Sequence, residues 1–159
     1  MSTIPEGGTM ELILWRHAEA EDGSPDTARE LTDKGVKQAR AMAEWLKPRL
    51  PKNTRVIVSP TVRTQQTAAA LDEDFETVKE IGPAASAKAV LAAAGWPEAK
   101  GAVVVVGHQP TLGEVAAVLI SGEPAGWPMR KGAIWWFSHK TKGGVEETIL
   151  RASISPDML

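Results

Sequence analysis

Two arginines and two histidines define the chemistry open to this sequence. Arg16-His17 follows the apolar run Leu12-Ile13-Leu14-Trp15, Arg63 comes shortly after Arg55-Val56-Ile57-Val58, and His108 follows Ala102-Val103-Val104-Val105-Val106. Residues of these types suit a phosphoryl group, which carries up to two negative charges. Arginine is always charged and presents a fixed fork of donors, so Arg16 and Arg63 read as a clamp on its oxygens. A neutral histidine can attack phosphorus through one ring nitrogen while the other donates to an orienting carbonyl, the role read for His17. His108, protonated beside an anion, would stabilise the transferring oxygens. Gln109, at the start of a helix whose N–H groups add donors, joins Arg16, Arg63 and His108 in the phosphate-binding set.

These groups are useful only if the fold gathers them. Uninterrupted apolar runs of four or five residues suit strands buried on both faces, as in a parallel sheet. Parallel strands present their carboxyl ends along one edge, where open α/β sheets bind ligands. Three such strands ending in phosphate-type residues are more informative than any one of them.

The intervening segments supply the helices. Thr32 is a good N-cap for a helix carrying Val36, Ala39, Ala43 and Leu46 on one face, ended by Pro48 and Pro51. Ser59-Pro60 is read as the cap and first residue of a second helix, running to about Leu71. Residues 76–81 form a weaker strand, residues 84–94 an alanine-rich helix stopped by Gly95, and a helix after Pro110 ends at Gly122. Residues 133–137 and 145–154 read as two strands joined at Gly143-Gly144. The expected fold is therefore α/β with three layers. A mostly parallel sheet is flanked by helices and extended by a C-terminal antiparallel hairpin. Of the paired tryptophans in the first hairpin strand, Trp135 and Trp136, one is expected in the core and the other outward.

Composition narrows the function. The chain has 159 residues, enough for one domain with a proper core, and its net charge of −2 gives no reason to expect nucleic acid or an anionic membrane. It has no cysteine, which excludes disulfides, thiolate catalysis and cysteine-ligated metals. No apolar run approaches the roughly 18 residues that span a bilayer. Residues 1–9 lack the charged and apolar regions of a signal peptide and are expected to be a frayed extension, with a single domain over residues 10–159 and a cytoplasmic location.

The motifs resemble the histidine phosphatase superfamily, the phosphoglycerate mutase-like fold. Its Arg-His-Gly opening appears as Arg16-His17-Ala18. Its Ser-Pro-x-x-Arg-x-x-Gln-Thr segment appears as Ser59-Pro60-Thr61-Val62-Arg63-Thr64-Gln65-Gln66-Thr67, and its Gly-His as Gly107-His108. The short length and the pattern Leu31-Thr32, Gly35, Gln38-Ala39 are most similar to the SixA-type phosphohistidine phosphatases. The resemblance implies a phosphohistidine intermediate on His17, no metal and no organic cofactor. It implies a phosphohistidine-bearing protein as partner, such as a histidine phosphotransfer domain in signal transduction, or else a small phosphate ester. Relatives acting on esters use an acid to protonate the leaving oxygen. Glu19 and Asp22 are the candidates here, with Glu21 and Asp26 in the same loop.

Competing readings are weaker. A zinc site lacks ligands, since there is no cysteine and His139 is read as part of a solvated hairpin turn, and two arginines would repel the ion. A small-molecule phosphomonoesterase and a non-catalytic module docking phosphorylated histidine domains are the alternatives.

Overall fold

The computed structural model describes residues 9–159, so the expected extension over residues 1–9 lies outside the described residues except for Thr9, which already opens the first strand. The elements are β1 (Thr9–Arg16), α1 (Asp33–Leu46), β2 (Thr54–Val58), α2 (Val62–Ala69), β3 (Glu76–Thr77), α3 (Ala87–Ala94), β4 (Gly101–Gly107), α4 (Thr111–Ser121), β5 (Ile134–Lys142) and β6 (Val145–Ile154). The strands form one sheet in the order β3-β2-β4-β1-β5-β6. β3, β2, β4 and β1 run parallel, β5 runs antiparallel beside β1, and β6 antiparallel beside β5. No helix of the described residues is long and apolar enough to cross a membrane.

Two-residue alternation along the central strands divides the core into two layers. Leu12, Leu14, Val103, Val105 and Phe137 face α3 and α4, meeting Val90, Leu112 and Val115. Ile13, Trp15, Val104, Val106 and Trp136 face α1 and α2, meeting Met42, Leu46 and Ala68. Leu12, Ile13, Leu14 and Trp15 are all fully buried. Full burial of such side chains stabilises by about 1.5–3 kcal/mol each, so β1 anchors both layers. The three-layer α/β architecture matches the expectation from the apolar runs.

Several boundaries differ from it. Helix α2 starts after Thr61, not at Ser59, because the Ser59 hydroxyl is engaged by His108 and the cap falls to Thr61, which accepts from Thr64 N. Helix α3 starts at Ala87, capped by the Ser86 hydroxyl, after the turn that begins at Gly82. β3 shrinks to two residues paired with Ile57 and Val58, and Ile81 reaches the core from a 3-10 turn. β5 runs to Lys142, which moves His139 out of the hairpin turn and into the strand, opposite Met10 and Thr148. His139 is accordingly buried, hydrogen-bonded to Thr148 and Glu146 and edge-on to Trp96. Both tryptophans of β5 pack inward, Trp136 in one layer and Trp135 against Trp127 in the other, because both sheet faces are covered.

Candidate active site

The carboxyl ends of β1, β2 and β4 lie side by side because the parallel ladder continues one residue past each strand. His17 N donates to Gly107 O and Ser59 N to Val106 O, both at 3.1 Å. That registry sets the His17 and His108 rings 5.4 Å apart, centroid to centroid. Arg63, in the first turn of α2, reaches the same place, with Nη2 3.5 Å from His108 Nδ1. Arg16, the last residue of β1, donates from Nη1 to Met129 O at 2.7 Å. The four residues expected to act together are together.

The orientation of His17 is fixed by what its partner can accept. Nδ1 lies 2.8 Å from Ala18 O, and a carbonyl only accepts, so Nδ1 carries the proton and Nε2 keeps its lone pair. The backbone around it is tied at every step. Gly132 N donates to His17 O at 2.9 Å, and Ala18 N donates to Thr67 Oγ1 at 3.0 Å. Ala18, which stands where the family motif has glycine, buries its methyl group among Leu31 and Ala39. Helix α1 closes onto the next residue: Thr32 caps it, donates from its hydroxyl to Glu19 Oε2, and leaves Gly35 so close that a Cβ would lie 2.0 Å from Glu19 O.

Electrostatics keep both histidines neutral. Burial, followed by the charges of Arg16 and Arg63, pushes His17 down to about 3 against the opposing Ala18 hydrogen bond. Burial and then the Arg63 charge push His108 down to about 4. Burial outweighs the Arg63 charge in that shift, and an anion beside His108 would oppose both. Because a guanidinium only donates, His108 Nδ1 faces Arg63 as the acceptor and Nε2–H donates to Ser59 Oγ at 2.8 Å.

The arginines are the unusual feature. Arg63 is only 4% exposed, and Nε of both Arg16 and Arg63 is buried with no acceptor among the described residues. A buried charged donor without a partner is costly, so both guanidinium groups are held in place at the expense of stability. Arg63 spends Nη1 and Nη2 on Asp26, donating to its carbonyl at 2.8 Å and its carboxylate at 3.1 Å. Hydrogen bonds from Arg29, then Arg63, hold the Asp26 carboxyl below its ordinary range and therefore ionised.

Other expected site residues are placed elsewhere. The Gln109 side-chain amide is engaged by the protein, Nε2 donating to Trp127 O at 3.0 Å and Oε1 accepting from Gly113 N at 2.7 Å, which leaves only its backbone for the expected phosphate-binding role. The Glu19 carboxylate turns to Thr32, and Asp22 lines an exposed depression with Glu21 and Arg29. The acid that reaches the site is Asp26, which bonds Arg63 and is one of five acids in an aperiodic loop. Its only sequence signal was Arg29 three residues on. Ser59, read as a cap, and the main chain of Met129 and Gly132 were missed as supports. Among the described residues, no three His, Asp or Glu side chains gather as a metal site.

Comparison with known proteins agrees with this geometry. The profile of the histidine phosphatase superfamily (branch 1) matches residues 12–86. The chain is 33% identical over 123 residues to phosphohistidine phosphatase SixA of Escherichia coli K12, covering 72% of this chain and 76% of that protein. The chain belongs to the histidine phosphatase superfamily. A SixA homolog of Haemophilus influenzae is 34% identical over 126 residues, covering 69% of this chain and 77% of that one. The structure of the protein histidine phosphatase SixA complexed with tungstate superposes with a TM-score of 0.76 at 30% identity, covering 94% of this chain and 99% of that one. The fold is the phosphoglycerate mutase-like α/β fold and the protein is a phosphatase, a hydrolase.

Proposed function

We propose that this phosphatase removes phosphoryl groups from histidine residues of proteins, through a phosphohistidine formed on His17. One observation carries the reading: a neutral, immobilised histidine with its Nε2 lone pair free stands beside the guanidinium groups of half-buried Arg16 and buried Arg63. The phosphoryl oxygens lie against the guanidinium groups of Arg16 and Arg63, beside His108. The Nε2 lone pair forms a bond to phosphorus as the substrate P–N bond breaks, and the departing imidazole keeps that electron pair and takes a proton from water. In the second step water attacks phosphorus, the P–Nε2 bond breaks with its electrons returning to His17, and phosphate leaves with the water oxygen. Fixed positive charge in a dry site is worth far more than in water, and it favours the charge-rich transition state of both steps.

The substrate class is supported by the leaving group. An alkoxide needs an acid, and Asp26, the acid that bonds Arg63, is ionised. An imidazole nitrogen is basic enough to take its proton from solvent. The sequence relatives named as phosphohistidine phosphatases point the same way. The test compares turnover of a phosphohistidine-bearing phosphotransfer domain with that of p-nitrophenyl phosphate. A higher kcat/KM on the protein is expected, and a strong preference for the ester would contradict the reading.

A further inference from the structure

A cavity of about 400 Å³ lies beside the site and carries Lys34, Arg130 and Lys131 on its walls, with Glu19 and Asp157. It sits one loop from the nucleophile. Met129 O holds Arg16, Gly132 N holds His17 O, and the two residues between them, Arg130 and Lys131, line the cavity. All three cations are exposed, and none takes part in an ion pair among the described residues. Of the two wall carboxylates, Glu19 is bonded by Thr32, while Asp157 is bonded by Ser155 and feels the Arg130 charge, so cations exceed carboxylates three to two. On the other side of His17, towards α2, the rim has the opposite sign: Glu21, Asp22 and Glu30 line it, and the one arginine there, Arg29, is paired with Asp26. The two rims therefore give the entrance a charge polarity along the sheet.

We propose that the cavity of Lys34, Arg130 and Lys131 docks acidic side chains of the protein that carries the phosphohistidine, and so selects which phosphohistidines reach His17. This rests on the protein-phosphohistidine reading above. A phosphohistidine has the same ring and phosphoryl group in every protein, so selection among proteins must use neighbouring residues. The geometry allows it. Consecutive Cα atoms are about 3.8 Å apart, which places Lys131 within roughly 15 Å of His17, a span of four or five extended residues. A small phosphate ester cannot reach from one to the other. Exposed charge pairs of this kind act chiefly on selectivity and encounter, and several together are needed for a measurable preference.

The test uses three phosphohistidine peptides with the same central residues: one with acidic residues on the N-terminal flank, one with them on the C-terminal flank, and one neutral. For the wild-type chain, one acidic peptide should exceed the neutral one in kcat/KM by about tenfold, mostly through KM, with the advantage falling away at about 0.5 M salt. In the variant Lys34→Glu/Arg130→Glu/Lys131→Glu the preference should vanish or invert, while phosphoramidate turnover shows that the variant is folded. Equal kcat/KM on all three peptides overturns the proposal, as does a preference that survives the charge reversal or a uniform loss on every peptide. Failure of the wild-type chain on all three peptides, with small esters still hydrolysed, would instead overturn the function proposed above and this inference with it.

Discussion

His17 and His139 are buried to almost the same degree, 7% and 8% exposed, at opposite ends of the same pair of strands. Their surroundings differ. His139 donates to the Glu146 carboxylate at 3.1 Å, bonds Thr148 at 2.8 Å and packs edge-on against Trp96, so both ring nitrogens are used by the protein. His17 uses one nitrogen on a carbonyl, leaves the other free, and has arginines rather than a carboxylate for neighbours. Burial is common to both. What suits His17 to the proposed nucleophilic role is a partner that fixes the tautomer without occupying the second nitrogen, in a field that keeps the ring unprotonated and attracts an anion.

Exchanging the roles of these regions by mutation gives effects of very different size. His17→Ala should lower kcat/KM for phosphate substrates by ~10⁴-fold or more, with little change in the unfolding transition. Wild-type turnover in that variant would remove the nucleophile assignment. Arg63→Ala should cost about 10²–10³-fold in kcat/KM, the scale of one oriented donor in a dry site. A loss of stability without a loss of rate would reduce Arg63 to a tether for Asp26.

His139→Ala should invert the pattern. It strips a buried hydrogen-bonded ring and should lower unfolding stability by roughly 1–3 kcal/mol in a denaturant titration, with kcat/KM within about twofold of wild type. The smallest effect is on pH dependence. His17 and His108 titrate at about 3 and about 4 in the folded chain, against an ordinary value of 6.5. Below 6.5 the unfolded chain therefore binds more protons, so stability is full above that pH and falls as pH drops towards 4. His17→Asn, which cannot titrate, should flatten part of that fall in Tm measured between about pH 4 and 7. An unchanged slope would mean that His17 titrates alike in the folded and unfolded chain, which contradicts the burial of a neutral ring.

Much of this was legible in the sequence for a physical reason. β1 and β4 are buried on both faces, so they appear as unbroken apolar runs, and residues ending such runs in parallel strands must share an edge. Arg16, His17, Arg63 and His108 could be gathered on that basis alone. His139 could not, because Ser138-His139-Lys140-Thr141 is a polar stretch whose strand character comes from pairing with the start of β1 and with β6. Ser59 was assigned to a helix end that its hydroxyl leaves for His108. Asp26 sits in a loop without periodicity, and Met129 and Gly132 act through their main chain, which leaves no trace in residue type. Ala18 in place of glycine is expected to be tolerated from the sequence, and its methyl group packs among Leu31 and Ala39.

The central claim is that phosphorus becomes bonded to His17. Rapid acid-free quenching of the phosphatase with a ³²P-labelled phosphohistidine protein, followed by peptide mapping, measures this directly. The account predicts acid-labile, base-stable label on the peptide containing His17, absent from His17→Ala and unaffected by His139→Ala. Label on another residue, or full turnover with no labelled enzyme under conditions that trap phosphohistidine, would contradict it.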